Sequence, residues 1–136
     1  QAGIGSFGTD MPGCSGAHVV TVNSAPTVTN PEFVITVTNC PPTSTGLVMG
    51  ASGPGPGLDL FAIGVPIWVD LAAAEVYTFN MPTDAGGLGT LAAPLFLPPA
   101  SIGVTYYVQT LFLESACSMP PYNLSSTGAL TLTILP

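Results

Sequence analysis

Residues 33–38 read Phe33-Val34-Ile35-Thr36-Val37-Thr38, and residues 129–135 read Ala129-Leu130-Thr131-Leu132-Thr133-Ile134-Leu135. In the first stretch Phe33, Ile35 and Val37 fall on one face and Val34, Thr36 and Thr38 on the other. In the second, Leu130, Leu132 and Ile134 alternate with Thr131 and Thr133. A period of two is the pattern of a half-buried strand, apolar toward a core and polar toward water. Shorter runs at 19–22, 47–51, 58–63, 67–70 and 76–79 predict further strands. The longest run, 103–114, is apolar on both faces: Val104, Tyr106, Val108 and Phe112 against Tyr107, Leu111 and Leu113. Such a strand belongs at the centre of a sheet.

Proline and glycine punctuate the intervals. Asn39-Cys40-Pro41-Pro42, Gly53-Pro54-Gly55-Pro56-Gly57, Asp84-Ala85-Gly86-Gly87 and Leu97-Pro98-Pro99 predict turns, because proline fixes φ and glycine permits positive φ. Leu71-Ala72-Ala73-Ala74-Glu75 is the one place for a helical turn. Many short strands with regular turns predict an all-β fold, a Greek-key (Ig-like) antiparallel β-sandwich. The expected division is a Gly-rich segment over residues 1–13, able to act as a strand-exchange arm, then a single sandwich domain over 14–136.

Composition narrows function. The 136 residues include no Lys or Arg, seven acidic residues and one His, for a net charge of -7. Charged residues are 5% of the chain, where about 25% is usual. Apolar residues make up 47%, and the mean hydropathy is +0.59. The exterior must therefore be Ser, Thr, Asn, Gly and Pro together with apolar side chains, a surface that favours association with further copies or a coat of sugar. Nucleic-acid binding is excluded, since phosphates need cations, and so is attraction to anionic lipid. No stretch has the roughly 18 uninterrupted apolar residues of a spanning helix, and residues 88–113 are broken by Pro94, Pro98 and Pro99. The start, Gln1-Ala2-Gly3, has no basic n-region or apolar h-region, as expected of a mature chain from which a signal has been removed.

Several features in fixed order resemble a short domain common in secreted and surface proteins of environmental bacteria. They are Gly8 with Gly13-Cys14-Ser15-Gly16; Asn30-Pro31-Glu32-Phe33 through Asn39-Cys40-Pro41-Pro42; Trp68-Val69-Asp70; Pro94-Leu95-Phe96-Leu97-Pro98; Tyr106-Tyr107-Val108-Gln109; and the alternating strand from Leu130. The resemblance spans nearly the whole chain and implies an extracellular β-sandwich, with no catalytic residue to carry over. Many members have a second Cys just before the Val-Asp strand as partner for the opening Cys. This chain has Gly64-Val65-Pro66 there, which leaves the partner of Cys14 open.

Cys14, Cys40 and Cys117 are an odd number in a chain that reads as extracellular, where thiols pair. Cys40 closes one strand and Cys117 follows another, which predicts a Cys40–Cys117 disulfide, with Cys14–Cys117 as the rival pairing. Cys14 is then free or bonded to another subunit. Cys117 and Met119 suggest a blue-copper pair, but that site takes two His and the chain has only His18. A structural zinc site would consume all three Cys and His18. A nucleophilic Ser would need His18 as base, and no G-x-S-x-G or comparable motif marks one. Carboxylate pairs for glycoside hydrolysis, drawn from Asp59, Asp70 and Glu75, are not brought together by spacing. No cofactor is expected; calcium is the one ion left room, through Asp10, Asp59, Asp70 and Asp84. Asn123-Leu124-Ser125 is the only N-x-S/T sequon, marking Asn123 for glycosylation. Trp68, Tyr106, Tyr107, Phe112 and Tyr122 could form a sugar-stacking platform, although core packing suits Trp68 better.

The reading that emerges is a secreted, non-enzymatic structural protein, a subunit of a self-assembling surface filament, sheath or layer. A carbohydrate-binding or adhesive module, with glycans as partners, is the alternative.

Overall fold

The axis of the structure, a computed structural model that describes all residues, 1–136, is the longest apolar run. In chain order the strands are β1 (Ile4–Phe7), β2 (Val20–Val22), β3 (Thr29–Asn30), β4 (Val34–Val37), β5 (Thr45–Ala51), β6 (Pro54–Leu58) and β7 (Ile67–Val69). They continue with β8 (Val76–Pro82), β9 (Gly89–Ala92), β10 (Leu95–Phe96), β11 (Thr105–Leu113), β12 (Leu124–Ser126) and β13 (Ala129–Thr133). The main sheet runs β1-β13-β11-β5-β8, with β12 also paired to β11, and all of its pairings are antiparallel. β11 is central, as its two apolar faces imply.

One face of this sheet carries Val48, Met81, Phe112, Leu130 and Leu132. It packs on Phe33, Ile35, Val37 and Leu91 from the antiparallel sheet β2-β4-β9. The alternation of residues 33–38 is thus realised: Ile35 and Val37 are buried, while Thr36 stands outside in register with Thr21 and Thr90. The Thr21 and Thr36 hydroxyls lie 2.6 Å apart. This outer face is the weakly polar surface that a chain without Lys or Arg must build.

The second face is covered too, so the sandwich gains a third layer. Met49, Ala51 and Leu111 pack against Val65, Ile67 and Val69 of the β6–β7 ribbon. Here the strand reading of the sequence needs correction. The Gly53–Gly57 stretch expected to turn is strand β6, and the expected strand at 58–63 is mostly a turn. Pro54 and Pro56 lack donors, so β6 makes only an irregular edge pairing, Pro54 with Val69 and Leu58 with Ile67. Asp59 then closes the following turn by accepting from the Ile63 and Gly64 amides at 2.8 and 2.9 Å. Residues 71–74 form a turn stapled by Asp70, not a helix. The only helical piece is a 3-10 turn at Pro99–Ser101, and no helix is long and apolar enough to cross a membrane.

The segment 1–13 lies on its own chain's sheet. β1 pairs with β13 from Ile4↔Leu132 to Phe7↔Ala129, and Met11 bridges to Ser126.

Candidate functional site

The residues with chemical potential gather at one end of the sandwich, where β4 and β11 finish. Phe112 faces the core, so Glu114, two residues on, points the same way. It is 1% exposed. Its Oε1 accepts from the Cys14 amide at 2.9 Å, and its Oε2 accepts from Ser125 Oγ at 2.8 Å. Ser125, fully buried on β12, also meets His18 Nε2 at 2.9 Å. His18 Nδ1 lies 3.2 Å from the Thr38 carbonyl, and the His18 amide donates to Asp10 at 3.0 Å. Gly13 makes this closure possible, since a Cβ there would fall 2.7 Å from the Glu114 carboxyl carbon.

The contact between Ser125 and His18 has the spacing of a nucleophile and its base, but the carboxyl is wired differently from a hydrolase triad. There the acid orients the imidazole; here Glu114 takes the serine's hydrogen, and a main-chain carbonyl faces the far side of the ring. Buried on all sides, the group ties the N-terminal segment to β4, β11 and β12. Buried polar groups with partners rigidify a fold in this way.

The disulfide at this end corrects the sequence expectation. Cys14 bonds to Cys117, with Cα atoms 5.7 Å apart, and Cys40 is the free cysteine. The predicted Cys40–Cys117 bridge fails because Cys40 turns inward after β4, 1% exposed. Its Sγ donates to the Val37 carbonyl at 3.2 Å. Burial pushes this thiol up to about 11; the Glu114 and Asp84 carboxyls add to the rise, and a backbone hydrogen bond at Gly89 opposes it. Cys14, expected to be free or intersubunit, is instead held by Cys117.

The carboxylates considered for calcium lie apart, each holding its own stretch of backbone. Asp59 and Asp70 close the turns described above, and Asp84 accepts from the Gly86 and Leu88 amides. No three His, Cys, Asp or Glu side chains group as metal ligands. With Cys14 and Cys117 bonded together, the sulfur sets of the zinc and copper readings are also dismantled.

The aromatic residues are distributed over different surfaces. Trp68 donates Nε1–H to the Thr9 carbonyl at 2.9 Å and meets Phe7 edge-on at 5.5 Å. Gly8 and Gly57, both at positive φ, come up against its indole where a Cβ would collide. Tyr107 joins the same cluster through Phe7. Phe112 is buried and Tyr122 lies exposed in the β11–β12 loop. Asn123 precedes β12 at a φ of 57° and accepts from the Met119 amide at 2.8 Å through Oδ1.

Three features carried too weak a sequence signal to be found. Gln109, wholly buried, accepts from the Trp68 amide and donates to the Pro66 and Thr127 carbonyls at 2.8, 2.8 and 3.0 Å. It fastens the third layer to the main sheet. Glu114 left only the faint trace of an acidic residue two positions beyond an inward Phe. The third is a cleft of about 480 Å³ between β8 and β9, lined almost wholly by apolar side chains. At its rim Tyr77 and Tyr106 donate to Glu75 Oε1 and Oε2 at 3.0 and 3.1 Å. The bond to Glu75 raises the Tyr77 phenol, and burial followed by the same carboxyl raises that of Tyr106.

Fold and site together define an all-β, disulfide-bonded sandwich whose buried polar groups hold the structure and whose apolar residues reach the surface. No protein-family model, curated protein or solved structure matches the chain.

Proposed function

We propose that the chain is an extracellular structural protein that assembles with copies of itself by extending its main sheet from one subunit into the next. The observation that carries this reading is strand β8. It is seven residues long, lies at the sheet's edge with one side unpaired, and exposes Val76, Tyr77 and Phe79. Proteins that stay monomeric blunt such edges with Lys, with Pro inside the strand or with bulges. β8 has a regular seven-pair register with β5 and no charge, and its proline stands only at the last position.

The opposite edge, β1, is also uncharged. Adding β1 of one copy to β8 of the next is a heterologous contact, which propagates as an open filament unless its rotation closes. The absence of Lys and Arg, and of any acid on either edge, removes the repulsion and mispairing that would oppose it. The Cys14–Cys117 disulfide supports an oxidising compartment.

The test is negative-stain microscopy beside sedimentation of the purified protein and of a Thr78→Lys/Asn80→Lys variant. Both positions are exposed on β8, and the cations would blunt the edge. Regular filaments or sheets are expected for the parent and dispersed particles for the variant. A parent that sediments as a 13.7 kDa particle, or a variant that polymerises unchanged, contradicts the proposal.

A further inference from the structure

The cleft behind β8 exists because the two packed sheets differ in width. β9 ends the smaller sheet, while the main sheet continues through β5 to β8. Val48, Val108 and Leu132 line it from the main sheet, and Leu91, Ala93 and Leu95 from the opposite side. Gly50, in register with Val108 and Tyr77, leaves the space where a side chain would stand. Its volume falls within the roughly 300–1,000 Å³ typical of small-molecule sites. Water is a poor occupant, because a buried water needs two to four polar partners and the polar groups sit at a single corner.

That corner determines the chemistry of the ligand. Both tyrosine hydroxyls already donate to Glu75. What these three side chains still offer can only accept: the phenol oxygens and the free lone pairs of the carboxyl. The chain has no Lys or Arg to receive an anionic head, and Glu75 repels one. We infer that the cleft binds an amphiphile with an apolar body and a hydrogen-bond-donating head, a long-chain alcohol or alkylammonium, with the head on Glu75, Tyr77 and Tyr106. The fatty-acid mode, a carboxylate held by cations, is closed to this site.

The experiment uses N-phenyl-1-naphthylamine as a fluorescent occupant of the Thr78→Lys/Asn80→Lys protein, whose substitutions do not line the cleft. Dodecanol, dodecylammonium and dodecanoate serve as competitors. The first two are expected to displace the probe, and dodecanoate to need at least about tenfold more. Glu75→Gln should shrink the gap between dodecylammonium and dodecanoate. Gly50→Leu should abolish probe binding while the protein stays folded, since a Cβ there meets Val108 Cγ2 at 3.9 Å and no backbone strain. Equal competition by dodecanoate, a gap unchanged in Glu75→Gln, probe binding that survives Gly50→Leu, or no displacement by any of the three overturns the inference. Binding in the edge-blocked protein is independent of assembly, so either proposal can fail without the other.

Discussion

At the end where β4 and β11 finish, polar groups lie inside and nearly all have partners; along β8, apolar groups lie outside and have none. Glu114, Ser125 and His18 are buried in a continuous chain of hydrogen bonds, with Ser126 Oγ the one buried side-chain polar atom left without a partner. Phe79 and Tyr77, by contrast, are 48% and 45% exposed on an unpaired edge. A chain with so few charges has placed Glu114 where it closes a structure and left β8 as an uncharged edge. The comparison separates stability from association: the closed end should govern the first, and the β8 side the second.

The largest effect on stability should come from the disulfide. Cys14 and Cys117 are 103 residues apart, and the chain-entropy argument gives such a loop about 4–5 kcal/mol. Reduction, or Cys14→Ala, should lower the denaturation midpoint accordingly. A change below about 1 kcal/mol would mean that the closed end is held mainly by its hydrogen bonds. Next comes Glu114→Ala, which strands the Ser125 hydroxyl in the interior and takes the acceptor from the half-buried Cys14 amide. About 3 kcal/mol is expected in chemical denaturation, from buried groups that lose their partner. If the cost instead resembles an exposed substitution, within about 0.5 kcal/mol, the staple has no structural role.

A smaller effect depends on pH. The Cys40 thiol is raised from 9.0 to about 11, so the folded state resists an ionisation that the unfolded chain permits. Its contribution is complete below pH 9, declines as pH rises, and is lost by about pH 11. The full difference is about 2–3 kcal/mol. Tyr77 and Tyr106 shift in the same direction and steepen the alkaline loss. Melting curves between pH 7 and 11 should show this slope, and Cys40→Ala should flatten it. An identical slope in that variant would assign the loss to the tyrosines. The smallest expected change in stability belongs to the β8 side. Thr78→Lys/Asn80→Lys should shift unfolding by no more than about 0.5 kcal/mol, even though it is expected to prevent assembly.

The two regions were also unequally legible in the sequence. Alternation at 33–38 and 129–135 revealed β4 and β13, because half-buried strands write their period into the chain. The apolar run at 103–114 likewise revealed its central place. β6 was hidden because Pro54-Gly55-Pro56-Gly57 has turn chemistry; its irregular pairing with β7, which Gly55 approaches closely, makes it a strand. The cysteine pairing depended on where Cys40 points after β4, a tertiary fact that spacing does not record. The Glu114–Ser125–His18 chain joins residues up to 107 positions apart, and the β8 cleft arises from unequal sheet widths. Neither leaves a local motif.

The most direct test of assembly through β8 is amide hydrogen exchange on dispersed and assembled protein. Edge amides of residues 76–82 that point away from β5 should exchange rapidly in the dispersed form. They should become protected on assembly, together with those of residues 4–7, while the interior of β11 stays unchanged. Protection that appears elsewhere while β8 continues to exchange as in the dispersed protein would contradict the account.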